Sequence, residues 1–130
     1  MNKEDALDSL ILDEDKNPDI DLLAKILLKY LKFTKSGEII FEKEFYSSKD
    51  WQKILVYLLG RKVISIKKLS KDFEEKISQK EIEHFLGIKG SSIRKYVSVD
   101  LKSVLKSEGK KYFVPNYNLY KCKEKLEKNG

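Results

Sequence analysis

One cysteine, one histidine and two prolines in 130 residues remove several chemistries at once. A lone Cys122 cannot make an intramolecular disulfide framework, and with a lone His84 it leaves no zinc-ligand cluster. No phosphate-cradling loop is present, since Gly87-Ile88-Lys89-Gly90 lacks the length and the Lys-Ser/Thr ending of a nucleotide-binding motif. Long hydrophobic runs are missing too. The longest are far too short to span a bilayer, and the acidic start lacks the basic region that opens a signal peptide. A cytoplasmic protein without a membrane partner is expected. His84 falls on the polar side of its predicted helix with no acid or nucleophile beside it in sequence. Cys122 lies among lysines that would lower its pKa without giving it a task. Catalysis, cofactors and metals are therefore not expected.

Charge is what the chain has in excess. Charged residues make up 37% of it, well above the usual quarter, beside 41% hydrophobic residues that suit a folded chain. The net charge of +6 conceals a division: residues 1–21 carry two lysines against eight carboxylates, and residues 22–130 carry 25 bases against 13 acids. The body alone is +12. Such a field attracts polyanions and speeds their encounter, duplex DNA being the densest in a cell. The length suits one hydrophobic core rather than two. The expected organisation is an acidic flexible arm over residues 1–17 and a single domain over 18–130.

Along the chain, Leu7-Asp8-Ser9-Leu10-Ile11-Leu12 makes a brief amphipathic stretch inside the acidic arm, which ends at Asn17-Pro18. Pro18 fits a first helical turn capped by Asn17, and Ile20, Leu23, Leu27, Tyr30 and Leu31 recur at helical spacing until Gly37. Leu22, Ile26 and Leu28 lie off that stripe, so this extra N-terminal helix is either deeply buried or packed against a second copy. A strand is expected over residues 38–45. Ser47 then looks like a helix cap, with Trp51, Ile54, Leu55, Leu58 and Leu59 on one face and Gly60 as the stop. Residues 61–76 carry mixed signals: Ile66, Leu69 and Phe73 allow a helix, while Val63-Ile64 prefers extended chain.

The start of the next helix is the best-specified point. Ser78 can cap the amide of Glu81, Glu81 can reach back to the amide of Ser78, and Ile77 with Ile82 brackets that box as a hydrophobic staple. Ile82, Phe85 and Leu86 are expected to face inward, with Gly87 ending the helix. After a short turn, Ser91 or Ser92 caps a second helix whose Ile93, Val97, Leu101 and Val104 share a stripe. An unbroken helix through Asp100 would turn that carboxylate toward the stripe, so a bend before it is one way out. Leu105 to Val114 then reads as a hairpin turning at Glu108-Gly109, with Lys110 and Lys111 near its tip and Pro115 ending it. A basic amphipathic helix over residues 118–128, with Leu119, Cys122 and Leu126 on one side, finishes the chain.

Residues 78–115, close to a third of the chain, resemble the winged helix-turn-helix family of small prokaryotic, archaeal, plasmid or viral regulators. The matching features are Ser78-Gln79-Lys80-Glu81-Ile82 with Phe85-Leu86-Gly87-Ile88, then Ser91-Ser92-Ile93-Arg94, then the hairpin. The resemblance implies an α+β, mostly helical fold: a helix-turn-helix over residues 78–106, a wing over 105–115 and a small sheet of two or three strands. It also implies a recognition helix in the major groove and a wing over the adjacent backbone. The segment after the first core helix is longer than that family usually shows.

On a helical wheel Ser91, Lys95, Ser98, Val99 and Lys102 lie away from the core stripe, with Arg94 at its border in the first turn. Arg94 is the candidate for reading a base, because a guanidinium can bond a guanine at two points. Lys95 and Lys102 suit phosphates or base edges, and Ser91 and Ser92 suit a phosphate at a helix start. Lys89 in the turn, with Lys110 and Lys111 on the hairpin, would grip backbone without sequence choice. The expected function is binding of double-stranded DNA in transcriptional regulation, by a homodimer held through the N-terminal or C-terminal helix. The alternative is a scaffold that binds another protein through the acidic arm and the Leu-rich helix, without DNA affinity.

Overall fold

The computed structural model describes residues 6–11 and 17–128, so most of the expected acidic arm lies outside the described residues. The fold is α+β and mostly helical, with two small antiparallel sheets among the described residues. After a 3-10 turn at Ala6–Leu10, α1 (Ile20–Leu27) starts where the Asp19 carboxylate accepts the Leu22 amide at 3.0 Å. That satisfies one of the open donors of a helix start, so the cap is Asp19 rather than Asn17.

Helix α1 stops well short of Gly37. Leu31–Phe33 (β1) pairs instead with Ile39–Phe41 (β2), Leu31 opposite Phe41 and Phe33 opposite Ile39. The side chains at 31 and 33 fit a period of two as well as a helix, and a non-local surface decides between the two. Thr34 closes the connecting loop. Its amide donates to Glu38 O at 2.9 Å, and its hydroxyl accepts the Glu38 amide at 3.0 Å. The strand expected to run to Phe45 gives way to a helical turn, α2 (Lys43–Tyr46), which brings Phe45 into a stack on Phe41 with ring centroids 4.0 Å apart.

The central element is α3 (Asp50–Lys67), with Trp51, Ile54, Leu55, Val56, Leu58 and Leu59 all buried. Fully burying each such side chain is worth about 1.5–3 kcal/mol, so this helix organises the core. Ser47 does not cap it. The start is closed by Gln52, whose Oε1 accepts the Lys49 amide at 2.8 Å. Gly60 does not stop it either, because a Cβ there would lie 3.2 Å from Leu31 and 3.5 Å from Ile39. The glycine lets the first hairpin lie directly on the helix.

Residues 68–76 are fixed by Arg61, which is buried. Its Nε donates to Glu75 O at 3.0 Å and its Nη2 to Glu74 O, while the guanidinium sits 4.5 Å from the Phe73 ring. The second sheet has the order β3-β5-β4, formed by Ile77–Ser78 (β3), Lys106–Glu108 (β4) and Lys111–Phe113 (β5). Helix α6 (Leu119–Lys128) packs beside α1 and buries Leu119, Cys122 and Leu126. Its apolar stripe is thus consumed within the chain. Asn118, just before it, donates its Nδ2 to Val104 O at 2.9 Å and ties this end to the second sheet's approach.

Candidate nucleic-acid interface

The expected capping box forms at the start of α4 (Gln79–Leu86). Ser78 Oγ accepts the Glu81 amide at 3.3 Å, and Glu81 Oε1 accepts the Ser78 amide at 3.2 Å. The hydrogen bond from the Ser78 backbone, helped by its hydroxyl, holds the Glu81 carboxyl below its ordinary range. Because Ser78 also belongs to β3, the box fastens the second sheet to α4. Phe85 is exposed rather than inward; Ile82 carries the buried contact and Leu86 is half-buried.

Gly87 ends α4 in the left-handed region at φ 67°, with its amide donating to Glu83 O at 2.8 Å. Ile88 plugs the turn into the core. Helix α5 (Gly90–Lys95) then begins two or three residues earlier than expected, with Lys89 at the cap position and Ser91 and Ser92 inside the first turn. Neither serine caps it. The Glu83 carboxyl sits against Gly90, where a Cβ would come within 2.8 Å of its oxygens. A carboxylate therefore already faces the start of α5, so a phosphate near Ser91 and Ser92 would meet a negative charge.

Past Lys95 the helix widens into a π turn over Tyr96–Asp100, sealed by the Leu101 amide donating to Tyr96 O at 2.8 Å. A π turn spends one extra residue, which retards the wheel. Ile93, Leu101 and Val104 are fully buried and Val97 packs partly against them, while Asp100 is only half-buried. The bend that Asp100 called for is this widened turn.

The outward face of this helix carries what the sequence led one to expect. Lys89, Ser91, Arg94, Lys95, Ser98 and Lys102 are exposed, and Ser92 is half-buried. Ser98 turns its hydroxyl back onto Arg94 O at 2.8 Å, so its donor is used locally. Lys89, Arg94, Lys95 and Lys102 have no ion-pair partner among the described residues. From Lys89 to Lys111 the sequence carries seven bases against two acids.

The hairpin differs from expectation at its tip. The turn residues are Gly109 and Lys110, both left-handed at φ 57° and 63°, the geometry that matches strand twist in two-residue turns. Lys110 is exposed at the tip. Lys111 is drawn back into β5 opposite Glu108 and Ser78, and its Nζ lies 3.1 Å from Glu74 Oε2. Tyr112 and Phe113 are both half-buried, and the Lys76 ammonium lies 5.2 Å from the Phe113 ring while pairing with Glu108 at 3.0 Å.

The candidate residues thus fall into two groups. One runs along α5 and past the π turn, and includes Arg94, Lys95 and Lys102. The other surrounds Lys110, which shares a shallow concavity with Ser78, Gln79, Lys80, Ser107 and Tyr112. Lys80 was not among the sequence candidates. Its signal was present, since it occupies the first turn of the best-capped helix in the chain.

Burial pushes the Cys122 thiol up to about 12 despite the pull of Lys62 and Lys125, so the sequence reading of a lowered value is overturned. His84 is exposed and sits edge-on to Phe85 at 5.2 Å. Lys62 is buried 2.9 Å from Glu75 Oε2, an oxygen that accepts no well-aligned hydrogen bond, and donates to Asn116 Oδ1 at 2.6 Å. No cluster of three metal-ligating side chains occurs among the described residues. No helix among them is long and apolar enough to cross a membrane. No protein-family model matches the chain, and comparisons with curated proteins and with solved structures give no significant match.

Proposed function

We propose that the chain is a winged helix-turn-helix protein that binds duplex DNA in transcriptional regulation, with α5 entering the major groove and the β4–β5 hairpin serving as wing. The observation that carries this reading is the exposed, cationic outer face of α5, without ion pairs among the described residues and followed, after the π turn, by a hairpin with Lys110 at its tip. Arg94 reads a base edge, Lys89, Lys95 and Lys102 serve phosphates or base edges, and Lys80 with Lys110 grips the neighbouring backbone. No catalytic step, cofactor or metal enters the reading.

The test is affinity for short duplexes measured by fluorescence anisotropy over a salt series. If about five phosphates are neutralised, the logarithm of affinity falls against the logarithm of salt with a slope of about −4 to −5. Arg94→Ala relaxes preference at one position of a site selected from a random duplex library. A flat slope removes the DNA reading.

A second reading has its own support in the exposed Ile20 and Leu28 of α1, which suit a scaffold that captures another protein. It predicts capture through that face by a chain that ignores duplexes at every salt concentration.

A further inference from the structure

Helix α1 and the C-terminal half of α3 leave between them an open apolar groove of about 340 Å³. Ile20, Leu23, Leu28, Phe33, Val63 and Ile66 line it, joined by Lys32 and Lys67. Ile20 is 51% exposed and Leu28 68% exposed, a large apolar area for a helix of eight residues. Upstream, the 3-10 turn at Ala6–Leu10 presents the opposite surface. Leu7, Leu10 and Ile11 are 62%, 77% and 72% exposed, with Leu7 and Leu10 on one edge of the three-residue-per-turn helix and Ile11 just past its end. Residues 1–16 around that turn carry six carboxylates against two lysines.

One chain therefore holds a concave apolar surface edged by lysines and a convex apolar surface carried on an acidic segment. Each matches the other in polarity and in charge. We infer that the groove receives the Leu7–Ile11 segment of a second copy of this chain, exchanged reciprocally across a two-fold axis.

The second copy is the occupant, rather than the chain's own arm, for two reasons. Only eight residues separate Ile11 from Ile20, yet within a single chain both surfaces stand exposed. Seating three side chains once also gains little against the cost of ordering the segment, whereas reciprocal exchange seats them twice and brings the two α1 faces together. Lys67, and Lys32 with its Glu42 partner 3.4 Å away, then meet the acidic segment, so salt weakens the assembly. This inference stands apart from the DNA reading and survives its failure.

The test is sedimentation of the full chain across a range of concentrations at low salt. A monomer–dimer equilibrium is expected. Leu10→Asp and, separately, Leu28→Asp should each weaken it by at least about tenfold, the effect of losing one buried apolar side chain. Because both positions are exposed in the single chain, the unfolding midpoint should stay unchanged at concentrations where the original chain is monomeric, which separates lost assembly from lost folding. A chain that is monomeric throughout overturns the inference, as does a dimer indifferent to both substitutions. So does a spin label at Leu10 that contacts the groove independently of concentration, which would make the occupant the chain's own arm.

Discussion

The two hairpins of this chain are built from strands of the same length and used in opposite ways. In the first, β1 and β2 bury Leu31 and half-bury Phe33 and Ile39 against Gly60 of α3, and the connecting loop leans on residues 69 and 70 through Gly37. In the second, every residue of β4 is exposed, and Gly109 at the tip has nothing within 4 Å of where a Cβ would stand. A hairpin seated on a helix is a piece of core. One held by one edge and one capping box is a projection, and projections are where chains place groups meant for a partner. The cations beside the second sheet divide by depth: Arg61 and Lys62 are buried on Glu74 O, Glu75 and Asn116, whereas Lys110 at the hairpin's tip faces solvent.

The largest effect expected from this contrast comes from its two glycines. Gly60→Val forces a branched side chain into a space already 3.2 Å from Leu31, and overpacking of this kind costs about 1–3 kcal/mol. The urea midpoint should fall with an unchanged slope of free energy against denaturant. Gly109→Ala meets no neighbour at all and suffers only the left-handed backbone at φ 57°, worth about 1 kcal/mol. Gly109→Asn should recover most of that loss, because asparagine tolerates this conformation; it should not rescue position 60. Equal costs at both sites, or rescue at both, would mean that the second hairpin is packed as the first is.

A smaller effect, with no change in stability, separates two adjacent lysines. Lys110 has no ion-pair partner among the described residues, while Lys111 lies 3.1 Å from Glu74. If the hairpin grips a nucleic-acid backbone, Lys110→Ala should reduce the salt slope of binding by about one unit. Lys111→Ala should reduce it by about half a unit at most, because that ammonium already has a carboxylate beside it. The same comparison made with Glu74→Ala should raise the contribution of Lys111 toward that of Lys110. Interchangeable lysines would show that the ion pair does not persist in solution.

What could be read from sequence divides along the same line. The Ser78–Glu81 box, the buried stripe of Ile93, Leu101 and Val104, and the C-terminal helix over Leu119, Cys122 and Leu126 depend on residues a few positions apart, and all three are present. The first hairpin was misread as the end of a helix and the start of a strand. Gly60 was misread as a stop, because its meaning lies in Leu31, Phe33 and Ile39, more than twenty residues away. Arg61 drew no attention, since its partners Glu74 O and Glu75 O are carbonyls and leave no side-chain pattern. Among the candidate contacts, the exposed face of α5 was legible from a wheel. The withdrawal of Lys111 was not, because Glu74 lies 37 positions upstream. Nor was the carboxyl of Glu83 at the start of α5, a contact made only once the turn at 87–89 has folded.

The smallest expected effect belongs to a single proton. Glu81 closes the box that fastens the second sheet to α4, and its carboxyl titrates below its ordinary value of 4.5, chiefly because the Ser78 amide donates to the charged form. A group whose folded value is depressed contributes stability that is fully present above its unfolded value and is lost as pH falls through the folded one. Acidification should therefore loosen the β3–α4 junction, with no counterpart at the first hairpin, whose seat on Gly60 is apolar. Glu81→Gln keeps an acceptor for the Ser78 amide but removes the titration. Urea midpoints of the two proteins should differ above the ordinary glutamate range, the original chain being the more stable. They should converge as the Glu81 carboxyl takes up its proton. A gap that persists unchanged into acid would mean that the hydrogen bond from Ser78, and not the charge it stabilises, holds the projecting hairpin to the helix.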